Sequence, residues 1–339
     1  MPIFFVVFVA ALLSGIFLSK SPLAGLFGLL RLAELLFLGF YTIKNIRNLK
    51  PVVYALSIGL TFESALAIAQ YFNQGSLNSI FYFLGERTFN SQTPGIANAS
   101  LNGSLVLRPY ATFSHPNVLA AYLVLSMTFI LFSFRKTLKY PLLLVGTAAL
   151  FLTLSRVAIL IWIVAFSFWL IKKFWISSKI KIVFFLIATI ALVHFSPLYT
   201  RFSSLSLTNE GVESRILLSK AAVDMVLDKP ILGVGINNFL INLPLYEKPT
   251  GSIFHLQPVH NIFLLVLAET GILGFGFFMW FLFKTFRKVL KRNAFALILF
   301  SEILLLGSFD HYFLTLQQGQ LMFVLVLGLC WSPFRSIWR

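Results

Sequence analysis

The run "VHNIFLLVLAETGILGFGFFMWFLF" (259–283) decides how this chain is read. It is apolar over the length an α-helix needs to cross a hydrocarbon core of about 30 Å, and it lacks the period-2 alternation of a barrel strand. A water-soluble domain has no surface to support many such runs. The run opens on His260 and Asn261, and Glu269 lies nine residues on, about 13 Å down the helix at a rise of 1.5 Å per residue. Feeding into it is a long polar segment, 197–258, with Arg201, Arg215, Lys220, Lys229 and His255.

Working outward, comparable runs recur near 2–18, 22–41, 51–72, 116–134, 140–154, 156–171, 182–196, 294–309 and 314–332. The chain is 58% hydrophobic and 11% charged, with a mean hydropathy of +0.89. The reading is an all-α polytopic membrane protein of about ten transmembrane helices, one integral domain over 1–339. The short loops 42–50, 135–139, 172–181 and 284–293 and the C-terminal tail hold most of the 27 basic residues and none of the 11 acidic ones. By the positive-inside rule they are cytoplasmic, so both termini are inside, and 73–115 and 197–258 lie outside. The same placement accounts for the net charge of +16, so no nucleic-acid partner is expected. Cys330 is the one cysteine, which excludes a disulfide framework and a thiol pair for metal or redox work. The first span has neither a charged n-region nor a small-residue cleavage site before Lys20 and reads as retained.

Three stretches carry chemistry at one outer level. The loop 73–115 ends in "LRPYATFSHPNVLAAYL" (107–123), with Arg108, and Pro116 stands where a helix starts, capped by Ser114 or His115. Such a start presents backbone N–H groups that suit an anion, and it reads equally as an ordinary capped helix. "LTLSRVAIL" (152–160) joins two spans with almost no loop, which sets Arg156 at the tip of a helical hairpin. "NEGVESRILLSKAAVDMVLDKP" (209–230) reads as an amphipathic helix, its face of Ile216, Leu217, Val223, Val226 and Leu227 laid on the bundle and Arg215 beside Ser219. The following "GVGINNF" (233–239) is a glycine turn without the spacing or lysine of a phosphate loop. At membrane depth, Arg31 and Glu34 are three apart and read as an ion pair, while Glu63 has no local partner.

Several guanidinium groups with few carboxylates nearby suit a phosphate or diphosphate, gripped through bidentate charge-assisted bonds. A histidine among them can take a proton near neutral pH. No metal is expected: His255, His260 and His311 do not share a helical face, and the long segment offers no acidic triplet beside them.

The series "LTLSRVAIL", "ESRILLSKAAVDMVLDKPILGVGINNF" and "HNIFLLVLAETGILG", in that order and spacing, resembles the O-antigen ligase and O-antigen polymerase superfamily of bacterial membrane glycosyltransferases. "SHPNVLAAYL" is similar to the "NPN" helix start that often precedes it there, and the resemblance spans 108–331. It implies a GT-C-like fold with a long extracytoplasmic loop, and a reaction without a metal or other cofactor. The donor it implies is a glycan on a polyprenyl diphosphate; the acceptor is a lipid, a glycan or a protein. Residue by residue, Arg156 and Arg215 match the arginines that would hold the diphosphate, and His260 the histidine that would activate the acceptor hydroxyl. Arg108, His115, Asn117, Arg201, Asn261, Glu269 and His311 are further candidates. The chain departs from the family in having ten spans rather than about twelve, the shortfall being N-terminal. Ligase and polymerase share these motifs, and a transporter of a lipid-linked anion would use the same arginines without a base. The expected setting is the bacterial cytoplasmic membrane, among its lipids, with the site facing outward.

Overall fold

The computed structural model describes residues 2–101, 103–133, 136–174, 210–247 and 256–334. The span read at 182–196, Arg201 and His255 lie outside the described residues. The chain divides into two compact units, Met1–Ile46 with Ser206–Pro333, and Arg47–Leu205 with Phe334–Arg339.

The first unit contains α1 (Pro2–Phe17) and α2 (Pro22–Asn45), and the second α3 (Lys50–Asn73), the short α4 (Ile80–Phe83), β1 (Asn98–Leu101), β2 (Ser104–Leu107), α5 (Pro116–Ser133), α6 (Lys136–Leu152) and α7 (Arg156–Phe174). The first unit resumes with α8 (Glu210–Asp228), α9 (Phe239–Tyr246), α10 (Ile262–Leu290), α11 (Ala294–Gly307), α12 (Tyr312–Thr315) and α13 (Gln317–Trp331). The architecture is mostly helical, as expected. Among the described residues, α2, α3 and α10 are long and apolar enough to cross a membrane. The expected number of about ten crossings rests otherwise on shorter apolar helices, such as Val6–Phe17 and Ala294–Gly307, and on 182–196.

Helix starts follow local chemistry. Ser21 Oγ accepts from Ala24 N ahead of Pro22, and Asn293 Oδ1 accepts from Ala296 N at 2.8 Å. Helix α10 is broken at Gly271 (φ 61°, ψ −169°), a backbone conformation that favours glycine. The break frees polar backbone groups that hydrocarbon cannot satisfy, and the segment after α8 fills it. Val234 N donates to Ala268 O, Gly235 N to Glu269 O and Ile272 N to Pro230 O, each at 2.9 Å. "GVGINNF" is therefore a strip of backbone paired into a broken helix. A Cβ at Gly233 or Gly271 would collide with the opposing backbone. Glu269 is placed at this joint, where its Oε1 accepts from Phe239 N at 3.2 Å. Asn238 closes the other side, exchanging two bonds with the backbone of Ser21.

Helix α8 lies on the bundle by a different face from the one expected. Leu218, Ala221, Ala222 and Met225 are buried, together with Val234, Phe239, Leu265 and Ala268, whereas Ile216, Val223 and Leu227 are exposed. Two alanines let the helix approach closely, so small residues rather than the bulkiest ones mark the buried stripe.

In the second unit the loop 74–115 holds a β-hairpin, Asn98 opposite Leu107, which departs from a purely helical expectation. "Asn-Gly" at 102–103 is the sequence signal for such a turn. Gln70 on α3 ties the loop down: its amide donates to Glu86 and to Ala111 O, and its oxygen accepts from Tyr110 N and Ala111 N. Glu63 finds its partner here, accepting from the Thr112 hydroxyl at 2.6 Å and from Thr112 N at 3.1 Å. The Arg31–Glu34 pair forms at 3.1 Å, and Arg31 also donates to Gln320 on α13.

Candidate active site

Asn261 assembles the site in the first unit. Its Oδ1 accepts from Phe263 N and Leu264 N at 2.9 and 3.0 Å, which caps α10, while its Nδ2 donates to Ser308 O at 3.0 Å. One side chain thus starts one helix and ties it to the turn that ends α11. His260 precedes this cap, and Asp310 and His311 follow that turn. The rings of His260 and His311 are edge to face with centroids 5.2 Å apart, and His311 Nε2 is 4.0 Å from Asp310 Oδ1. One ligating atom from each of His260, Asp310 and His311 lies within 4.8 Å of the others.

The surroundings fix the state of these groups. The Thr315 hydroxyl lies 2.6 Å from His311 Nδ1 and 3.1 Å from His311 O. The hydroxyl thus orients the ring by Nδ1, and Nε2 is turned toward Asp310. Burial pushes His260 down to about 4; Asp310 works against this, and Arg215 and His311 add to it. His311 is lowered too, by burial first and by Arg215. Both imidazoles are neutral at pH 7, and His260 Nδ1 is buried without a hydrogen-bond partner among the described residues. Such a group has proton-accepting capacity held in reserve.

Residues 141–279 match the family model described as O-antigen ligase. The match puts this stretch in the O-antigen ligase superfamily, whose members are glycosyltransferase-like enzymes acting with lipid-linked glycans and acceptors. It runs from within α6 to within α10 and takes in Arg156, Arg215, His260, Asn261 and Glu269. It is shorter than the resemblance over 108–331. No curated protein matches the chain. The family and the apolar helices together make this a membrane protein.

The other candidates have distinct placements. Arg108 is buried in the second unit, its Nε donating to Thr153 O and its Nη2 to Asn117 Oδ1, each at 2.7 Å. It braces the start of α5 against the end of α6. His115 caps α5, its Nδ1 accepting from Asn117 N at 3.1 Å, so this helix start is capped and one of its N–H groups already has an acceptor. Arg156 is the first residue of α7, at the hairpin tip as expected. The residue that sequence reasoning missed is Asp310. The expectation of few carboxylates looked for acids in the long segment, whereas this one arrives from the turn between α11 and α12. Its signal is "SFDHYF" (308–313), an acid beside a histidine between two apolar runs.

Proposed function

We propose that the protein transfers a glycan from a polyprenyl-diphosphate donor to an acceptor hydroxyl at the outer face of a bacterial cytoplasmic membrane, as an O-antigen ligase-like enzyme that needs no metal. The observation that carries this reading is the half-buried, neutral His260 beside Asp310 and His311, at the end of a region of the O-antigen ligase superfamily.

His260 accepts the proton of the acceptor hydroxyl as its oxygen attacks the anomeric carbon. The bond from that carbon to the diphosphate oxygen breaks, and the electron pair leaves with the polyprenyl diphosphate. Arg215 stabilises the charge growing on the leaving group. Losing one such preorganised donor costs about 3 kcal/mol, roughly a hundredfold or more in rate. Arg215 also couples the two substrates. Its guanidinium holds the basicity of His260 down, and a bound diphosphate neutralises that effect. The base therefore strengthens when the donor is in place. Asp310 stabilises the imidazolium that forms.

Purified protein given only lipid-linked repeat units is the test. Ligase activity requires a separate acceptor, whereas longer chains on the same lipid mean the polymerase variant of the reaction. His260→Ala turning over at the wild-type rate removes the histidine from the mechanism. Flux of donor across a vesicle without any transfer would make the protein a transporter.

A further inference from the structure

We propose that His260, Asp310 and His311 form a binding site for a borderline divalent transition-metal ion such as Zn2+, and that the bound ion shuts off the chemistry of His260. The second half rests on the proposed base role of His260; the first does not.

Two imidazoles and a carboxylate are a donor set that selects zinc and its neighbours over magnesium or calcium, which take oxygen ligands. The three groups offer one ligating atom each within 4.8 Å of one another. Zinc ligands at 2.0–2.2 Å stand roughly 3.3 Å apart in a tetrahedron, so closure takes side-chain movements of about 1 Å. Three features prepare the site. Thr315 Oγ1 holds the His311 ring by Nδ1, the outer hydrogen bond that orients a metal-ligating histidine and leaves Nε2 free to bind. His311 Nε2 and Asp310 Oδ1 stand 4.0 Å apart, an arrangement that a cation between them stabilises. The Nδ1 of His260 is buried with no hydrogen-bond partner among the described residues, so no bond there holds its ring against turning.

Arg215 decides the character of the site. Its guanidinium acts on both imidazoles and opposes a second positive charge, which sets an exchangeable site rather than one with a resident ion. A metal there takes a histidine lone pair that would otherwise accept the acceptor's proton.

Tag-free full-length protein in detergent is titrated with Zn2+ against a chromophoric chelator, and with Co2+ followed by its visible absorption. The expected result is one equivalent bound by the wild type. Asp310→Asn and His311→Ala should bind at least tenfold more weakly, and Thr315→Val about tenfold more weakly through the lost outer hydrogen bond. Unchanged elution and thermal midpoints show that the variants are folded. Equal binding by the wild type and both ligand variants, or no stoichiometric binding by the wild type, overturns the site. Glycan transfer measured on the same samples separates the two claims. Transfer lost with zinc and restored by a chelator supports both. Zinc bound through Asp310 with transfer undiminished keeps the site and overturns the role given to His260.

Discussion

Asn261 Nδ2 donates to Ser308 O at 3.0 Å, and this bond holds His260 against the turn that carries Asp310 and His311. The same residue caps α10 with its Oδ1, so stability and geometry can be separated by substitution. Asn261→Ala loses both, and the cap alone is worth about 1 kcal/mol. Asn261→Asp keeps the cap acceptor and sets an oxygen against the Ser308 carbonyl. The expected outcome is a thermal midpoint near wild type with a fall in kcat, and a kcat that tracks the midpoint through both variants would refute the brace.

Gly271 and Gly276 sit five residues apart on α10 with opposite expectations. A Cβ at Gly271 meets the backbone of Ile231 and Leu232 in a left-handed conformation, whereas at Gly276 nothing lies within 4 Å. Gly271→Ala should abolish recovery of folded protein in a detergent-extraction assay. Gly276→Ala should be neutral, or stabilising by about 0.5–1 kcal/mol from helix propensity.

Glu269 supports the joint between the inserted segment and α10 by accepting from Phe239 N. Its removal in Glu269→Ala strands a buried donor, a loss of about 1–3 kcal/mol. Glu269→Gln retains an oxygen acceptor and should recover part of that loss in thermal unfolding. Equal midpoints for Ala and Gln would show that the carboxyl oxygen holds nothing.

The pH dependence follows from His260, lowered from 6.5 to about 4. Its folded form resists protonation more than the unfolded one, so its share of stability is complete above about 6.5 and drains away as pH falls toward 4. Transfer should be flat from neutral pH down to about 5 and decline near 4 in kcat/KM. The acid limb should move up in Arg215→Ala, which removes a lowering charge, and down in Asp310→Asn, which removes a raising one. For the wild type, the limb in kcat should lie above that in kcat/KM, because bound diphosphate neutralises Arg215. Limbs that stay fixed across these variants would show that another group titrates.

Some of this was legible because it depends on local rules. Apolar length gave the helices, Pro116 after His115 gave the capped start of α5, and Arg31 three residues from Glu34 gave an ion pair. The arginines and His260 could be picked out because ionisable groups are costly in and beside a bilayer. The buried face of α8 was misread because apolar spacing cannot tell a stripe of alanines that fits closely from a stripe of larger residues that does not.

The sequence by itself determined the helical membrane class and the local starts and stops, since these depend on neighbours within a few residues. Only the tertiary structure decided that Asp310 joins His260, that Glu269 supports a break in α10, and that Glu63 and Arg108 brace backbone. Each of these depends on groups 30 to 50 residues apart meeting at hydrogen-bond or Coulombic range, and no periodicity in a sequence encodes that separation.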